Sequence, residues 1–340
     1  MKADRIENYK KIENLRNSKL LVYITGDRPG METQIHPEIL DYFVDHLDPL
    51  GKVDKISLLL YTRGGSTLAA WSLVNLIRQF CKEFEVIIPS KAQSSGTLIS
   101  IGANTVVMTK QATLGPIDPS LNGPLNPQNP QVPQNPSARI PVSVESIKGY
   151  FALAKDDLKI ENENELTQIL LSLSEKVHPL VLGDVYRSRT QIQMLARKLL
   201  SKQIENKEKI EKIISFLTSD SGSHDYTIYR NEAKNELGLN IEKPNEELYS
   251  IIKETFNDLK AELELTTPFD PNLILGVNQN AHYSCRRGLV ESIHGGTEVF
   301  ISEGTIIKHQ QQIPQQPPLP PLQRTIIDDN RTFEGWKHEK

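Results

Sequence analysis

Short runs of consecutive apolar residues alternate along the chain with stretches whose apolar positions recur every three or four residues. The runs are Leu20-Leu21-Val22-Tyr23-Ile24, Ile56 to Tyr61, residues 86–89 and residues 105–109. Apolar runs without polar alternation suit strands covered on both faces, as in a parallel sheet. Between them lie helical patterns. Residues 3–17 space Ile6, Tyr9, Ile12 and Leu15 by three, and residues 37–47 gather Ile39, Leu40, Phe43 and Leu47 on one face. A third helix runs through Trp71, Val74, Ile77 and Phe80, and a fourth is expected from about 95 to 103. Alternating strands and helices predict an α/β fold with a mainly parallel sheet. In such sheets the strand-to-helix turns gather at the carboxyl edge, where ligands bind.

The pattern changes after residue 116, where prolines are interleaved with Asn and Gln, most densely over 124–136. Such a segment cannot bury a core and reads as a flexible loop. Helical patterns resume over 143–159 and 163–217, the latter broken only by Pro179 and Gly183. Two or three helices are expected there, of the kind that make contacts in a homo-oligomer. Residues 226–239 predict a helix closed by Gly238, and residues 244–264 another. Residues 273–277, 288–293, 297–301 and 304–307 read as strands of a small antiparallel β element. The tail 309–340, with its QQQIPQQPPLPPLQR run, reads as disordered and as a possible docking segment for a partner. The expected division is therefore an N-terminal helix (1–17), a main domain (18–243), a helix with a β appendage (244–308) and the tail (309–340).

Composition removes several function classes. A formal net charge of −4 gives no electrostatic case for nucleic acid or an anionic membrane surface. No apolar run approaches the roughly 18 residues of a membrane span. The charged start, MKADRIENYKK, lacks the apolar region of a secretory signal, so a cytoplasmic protein is expected. Cys81 and Cys285 stand far apart without CxxC spacing, which argues against a disulfide framework or a zinc site. The histidines show neither HxxxH nor HExxH, and the GxxxxGK and GxGxxG phosphate loops are absent. No metal and no cofactor are expected.

Two stretches carry candidate chemistry. Pro89-Ser90-Lys91-Ala92-Gln93-Ser94-Ser95-Gly96-Thr97-Leu98 passes from a strand into an apolar helix through small residues. A serine at that junction has its hydroxyl exposed above a helix N-terminus, whose unpaired amides can stabilise an oxyanion. The plainer reading makes Ser94 and Ser95 an N-cap pair. Upstream, Thr62-Arg63-Gly64-Gly65 follows a buried strand, and its glycines can present backbone N–H groups to an anion. The plainer reading there is a tight turn. Asp27-Arg28, after the first strand, could line the same edge or simply pair within its own turn.

Together these stretches stand in the order seen in the Clp protease/crotonase superfold. Thr-Arg-Gly-Gly-Ser-Thr-Leu-Ala-Ala, Pro-Ser-Lys-Ala-Gln-Ser-Ser-Gly-Thr-Leu-Ile, Gly-Ala-Asn-Thr-Val-Val-Met and Leu-Gly-Pro-Ile-Asp-Pro-Ser sharpen the likeness. So does Ser223-His224-Asp225-Tyr226, followed by Glu232-Ala233 and Leu237-Gly238-Leu239. Over roughly residues 20–295 the chain resembles the serine dehydrogenase proteinase family, Clp-protease-like relatives of signal peptide peptidase A. The resemblance implies a serine peptidase with a Clp/crotonase-type α/β fold, acting on peptide or protein substrates without a metal. It implies Ser94 as nucleophile and the turn Gly64-Gly65, with the amides of Gly65 and Ser95, as the oxyanion hole.

The general base is the open position. A serine hydroxyl needs a neighbouring base at neutral pH. The Clp pattern expects a histidine soon after the serine, where this chain reaches Asp118 instead. His224, oriented by Asp118 or Asp225, ranks first. Lys148 ranks second, roughly where relatives of signal peptide peptidase A place a lysine, and would need burial to be neutral. His178, before Pro179, reads as structural. Two other functions remain in view: a scaffold that has kept Ser94 without a base, and acyl-CoA thioester chemistry on the same superfold.

Overall fold

The computed structural model describes residues 3–118, 120–223, 225–313 and 322–339. The chain begins with α1 (Ala3–Arg16), β1 (Lys19–Thr25), α2 (Ile39–Leu47), β2 (Val53–Tyr61), α3 (Thr67–Phe80) and β3 (Cys81–Ile88). The two-residue β4 (Lys91–Ala92), α4 (Ser95–Ile101) and β5 (Thr105–Met108) follow. Short strands β6 (Thr113–Leu114), β7 (Ser120–Leu121) and β8 (Val142–Ser143) lead into a helical arm. The arm comprises α5 (Val144–Ala152), α6 (Glu163–Lys176), α7 (Pro179–Leu200) and α8 (Lys207–Ser215). Then come β9 (Ile228–Tyr229), α9 (Arg230–Asn235), β10 (Ile241–Glu242), α10 (Glu246–Glu262) and α11 (Pro271–Leu275). The last strands are β11 (Asn280–Ser292), β12 (Gly296–Ile313) and β13 (Leu322–Glu339).

Eight strands form one sheet in the order β10-β5-β3-β2-β1-β11-β12-β13. From β10 to β1 the pairs are parallel, and from β1 to β13 they are antiparallel. The expected α/β fold with its parallel sheet is what the chain forms. Alternate side chains of the parallel strands enter opposite cores. Leu21, Tyr23, Leu58, Leu60, Val86 and Ile88 pack with α2, α3 and α4. Leu20, Val22, Ile24, Leu59, Tyr61 and Ile87 pack with α1 and α10. Burial on both faces is why these strands read as unbroken apolar runs.

The C-terminal β element is not a separate layer, because β11 pairs with β1 and continues the main sheet. Likewise α1 joins α10 in one layer: the buried Arg5 guanidinium meets Asp258, Glu262 and Glu291. At the base of the proline-rich loop, buried Asn126 donates to the carbonyls of Leu121 and Ile140.

Three expectations fail. The tail is not disordered where it is described: β12 runs to Ile313, and β13 pairs with it from Glu339 back to Leu322. Its anchor is Trp336, whose ring lies 5.0 Å from Tyr42 and 5.5 Å from Phe300. Residues 314–321, the centre of the proline run, lie outside the described residues. Residues 273–277 are not a strand, because Pro271 opens α11 and Asp270 caps it by accepting from the Asn272 amide at 2.8 Å. The helix expected over 226–239 shrinks to α9, because Ile228 and Tyr229 pair with β6.

Candidate active site

Thr62, just past the end of β2, is the buried anchor of the site. Its amide donates to the Lys91 carbonyl at 3.1 Å and its carbonyl accepts from the Gln93 amide at 3.1 Å, which ties the glycine turn to the elbow strand. Its Oγ1 accepts from Thr25 Oγ1 at 2.7 Å and from the Gly64 amide at 2.9 Å. Gly64 and Gly65 then take φ values of +114° and +144°, which a side chain would strain. A Cβ on Gly65 would sit 2.4 Å from both N and O of Ile35. That closeness is a β-bridge: the Ile35 amide donates to the Gly64 carbonyl and the Ser66 amide to the Ile35 carbonyl. The bridge uses the groups flanking Gly65, so its own N–H and C=O face the opposite side. There the Gly65 carbonyl accepts from Ser95 Oγ at 2.6 Å.

The elbow is strained at one residue. Ser94 has φ 51° and ψ −116°, outside even the left-handed helical basin, at a cost of about 1–3 kcal/mol. The surroundings hold it there. The Gly96 amide donates to the Gln93 carbonyl at 2.8 Å and the Leu98 amide to the Ser94 carbonyl at 3.1 Å. Thr97 Oγ1 bonds the carbonyls of Ala92 and Gly115 at 2.9 and 2.8 Å. A Cβ on Gly96 would lie 2.4 Å from Thr62 Cγ2, so only glycine lets α4 approach the turn. Ser94 occupies the N-cap position of α4, yet its side chain makes no capping hydrogen bond. The plainer reading of Ser94 as a cap therefore loses its physical basis.

The glycine turn and the elbow meet. A Cβ on Gly64 would be 2.7 Å from Ser94 Cβ and 3.1 Å from Ser94 Oγ. Ser94 opens into a cleft of about 380 Å³ whose walls include Arg63, Gly65, Asp118, Ser188 and Gln191. Ser95 is buried as the first residue of α4, where amides have no partner within the helix. Asp118 is 3 % exposed, and its neighbour Ile117 donates to the Leu217 carbonyl at 2.8 Å. That bond sets the π-helical turn Phe216–Asp220 beside Asp118.

The candidate bases do not gather with these groups. His224 lies outside the described residues. Lys148 sits on α5, whose Val144 packs with Val181 and Val185 of α7, and it does not line the cleft. His178 caps α7, its Nδ1 accepting from the Leu180 amide at 3.2 Å. Among the described residues, no histidine or lysine lines the cleft.

Asp27 and Arg28 do not pair with each other. Asp27 takes the Lys91 ammonium at 2.5 Å and the Tyr61 hydroxyl at 2.8 Å, which pins together the ends of β1, β2 and the elbow. Burial, with Asp27 adding to it, raises the Tyr61 phenol well above its ordinary range. Arg28 turns instead to Glu264 and the Thr267 carbonyl. Ser188 and Gln191 of α7 were not found from the sequence, because helical periodicity says nothing about which distant turn a polar face will cover.

The family model described as ClpP-like SDH-type serine proteinase matches residues 49–260. Uncharacterized protein MJ0137 of Methanocaldococcus jannaschii is 31% identical over 199 residues, covering 58% of this chain and 57% of that protein. Uncharacterized protein MJ1495 of the same organism is 29% identical over 186 residues, covering 55% and 51%. The chain thus spans about half the length of the curated relatives it matches. Among solved structures, a mutant of the 1510-N membrane-bound stomatin-specific protease covers 69% of this chain and 85% of its own, at 13% identity and TM-score 0.39. ClpP1 from Listeria monocytogenes covers 72% and 99%, at 15% identity and TM-score 0.36. No helix among the described residues is long and apolar enough to cross a membrane.

Proposed function

The chain belongs to the ClpP-like SDH-type serine proteinase family, and from that premise we propose that it hydrolyses peptide bonds through an acyl-enzyme on Ser94. The observation that carries the reading is the strained Ser94 backbone, packed against Gly64 with its hydroxyl uncapped. Strain of this kind persists only where the surroundings over-determine it, and it clusters at functional sites.

In the proposed reaction Ser94 Oγ attacks the scissile carbonyl while a base takes its proton. The carbonyl oxygen becomes an oxyanion facing the amides of Gly65 and Ser95. The tetrahedral adduct collapses with cleavage of the C–N bond, and the amine leaves with the proton. Water then attacks the ester by the same route and frees Ser94. No metal or nucleotide enters these steps. For the base we propose His224 with Asp118 as its orienting carboxylate, supported by the bond that sets residues 216–220 beside Asp118. Lys148 is the alternative. Exposed apolar side chains on α6 and α7, such as Leu171 and Tyr186, support a homo-oligomer. We place its work on peptide or protein substrates in the cytoplasm.

The test is cleavage of a fluorescent casein by the full chain. Ser94→Ala is expected to lower the rate at least about a thousandfold, and full activity in that variant would end the proposal. His224→Ala and Lys148→Ala identify the base by which of them matches the Ser94→Ala loss. A second reading, a scaffold without turnover, is favoured by the lack of a histidine or lysine in the described cleft walls. It gains if the full chain itself shows no cleavage above the Ser94→Ala variant.

A further inference from the structure

Beside the Ser94 cleft lies a second cavity that the proposed hydrolysis does not use. It encloses about 350 Å³ between residues 32–39 and the antiparallel strands. Gln34 and Ser66 line both spaces, and Ile35, which lines the second, is bridged to Gly65, which lines the first. Part of the wall is aromatic, formed by Tyr23, Phe300 and Trp336, with the Arg287 guanidinium already lying over the Phe300 ring at 5.6 Å from its centroid. Three carboxylates, Glu32, Glu38 and Glu334, line the cavity with one guanidinium, Arg287, and one imidazole, His36. That guanidinium is engaged by Glu334, by Ser302 and by the carbonyls of Met31 and Glu32. Glu334 meets Arg331 as well. Glu38 accepts from the Trp336 indole N–H at 3.2 Å, which sets carboxylate and ring side by side. Glu38 also lies 3.5 Å from His36 Nδ1, and the exposed carboxylates of Glu32 and Glu38 supply the negative charge of this wall.

An aromatic wall attracts a cation over its ring faces, and carboxylates beside it accept the hydrogen bonds of that cation. The cavity therefore suits a side chain with an apolar stem and a basic head. We propose that it is a specificity pocket for an arginine or lysine side chain of a peptide lying across the Ser94 cleft. This deepens the peptidase reading and rests on it. An extended peptide advances about 3.3 Å per residue with alternate side chains on opposite sides. A residue within about two or three of the scissile bond then reaches over the rim made by Gln34 and Ser66.

The chain has two tryptophans, Trp71 and Trp336, so Trp71→Phe leaves Trp336 as the only indole reporter. Full-length Trp71→Phe protein is titrated with N-acetyl-arginine amide and with its neutral isostere, N-acetyl-citrulline amide. The expected result is a saturable change in Trp336 fluorescence, with the arginine amide binding about tenfold more tightly. Combining Glu32→Gln with Glu38→Gln should remove most of that preference. No response, or equal binding of both amides, overturns the pocket whatever the enzyme does. In parallel, cleavage sites in a peptide library are mapped by mass spectrometry. Arginine or lysine enriched at one fixed position, and lost in Trp336→Ala, supports the pocket. Cleavage with no basic preference overturns the pocket alone. Arginine-selective fluorescence with no cleavage and no acylation of Ser94 overturns the peptidase reading alone.

Discussion

The elbow around Ser94 and the helical arm from α5 to α7 obey opposite rules. At the elbow, glycines are imposed by close approach: a Cβ on Gly65 or Gly96 would come within 2.4 Å of another residue's atoms. In the arm, Gly149 and Gly183 have nothing within 4 Å of such a Cβ. All seven residues of α4 are buried, whereas α6 buries none of its side chains. Leu171 is 52 % exposed and Tyr186 70 % exposed. The elbow is thus fixed by the chain's own packing, whereas in the arm α7 buries Ile192, Leu199 and Leu200 in the main core but α6 and part of α7 leave apolar side chains exposed. Exact backbone placement belongs to the first region, and exposed apolar surface to the second.

The largest expected effect breaks the elbow. Gly65→Ala adds both backbone strain and overlap with Ile35, and should cost about 3 kcal/mol or more in a urea melt. A variant as stable as the parent would refute the imposed geometry.

A pH dependence should come from outside both regions, at a buried histidine of the main core. His46 is fully buried on α2, its Nδ1 2.7 Å from Ser292 Oγ, and burial lowers its pKa from 6.5 to about 4. The unfolded chain binds the proton near pH 6.5 and the folded chain resists until about pH 4. Stability present at neutral pH is therefore lost as the pH falls between those values, by about 2–3 kcal/mol. Unfolding free energies measured from pH 7 to 4 should show this slope, and His46→Gln should flatten it.

Smaller effects lie in the arm. Gly183→Ala, in the exposed interior of α7, should stabilise by about 0.5–1 kcal/mol in the same melt. Leu171→Lys should change the melt by less than about 0.5 kcal/mol, while lowering the assembly mass in size-exclusion chromatography with light scattering. An unchanged mass would remove α6 from the proposed oligomer contact.

The same contrast explains what could be read in the sequence. Strands β1, β2, β3 and β5 were legible because burial on two faces leaves no polar alternation. The glycine turn and the elbow were legible only as a pair, since each alone reads equally as a tight turn or an N-cap, and it was their order along the chain that set them apart. Residues 273–277 were misread because a short apolar run fits helix or strand equally, and the deciding signals, Asp270 and Pro271, lie just before it. The tail was misread because its proline and glutamine content hid the anchor Trp336, whose partners Tyr42 and Phe300 are remote in sequence. The cleft walls contributed by Ser188 and Gln191 depend on how α7 crosses the site, which no local pattern records.

The central claim is that the strain at Ser94 serves a nucleophile. Incubation of the full chain with a fluorophosphonate probe, followed by peptide mapping, tests it most directly. The account predicts a single adduct on Ser94 that is absent from Ser94→Ala and from Gly65→Ala. Labelling of a different serine, or no adduct in a folded protein, would contradict it.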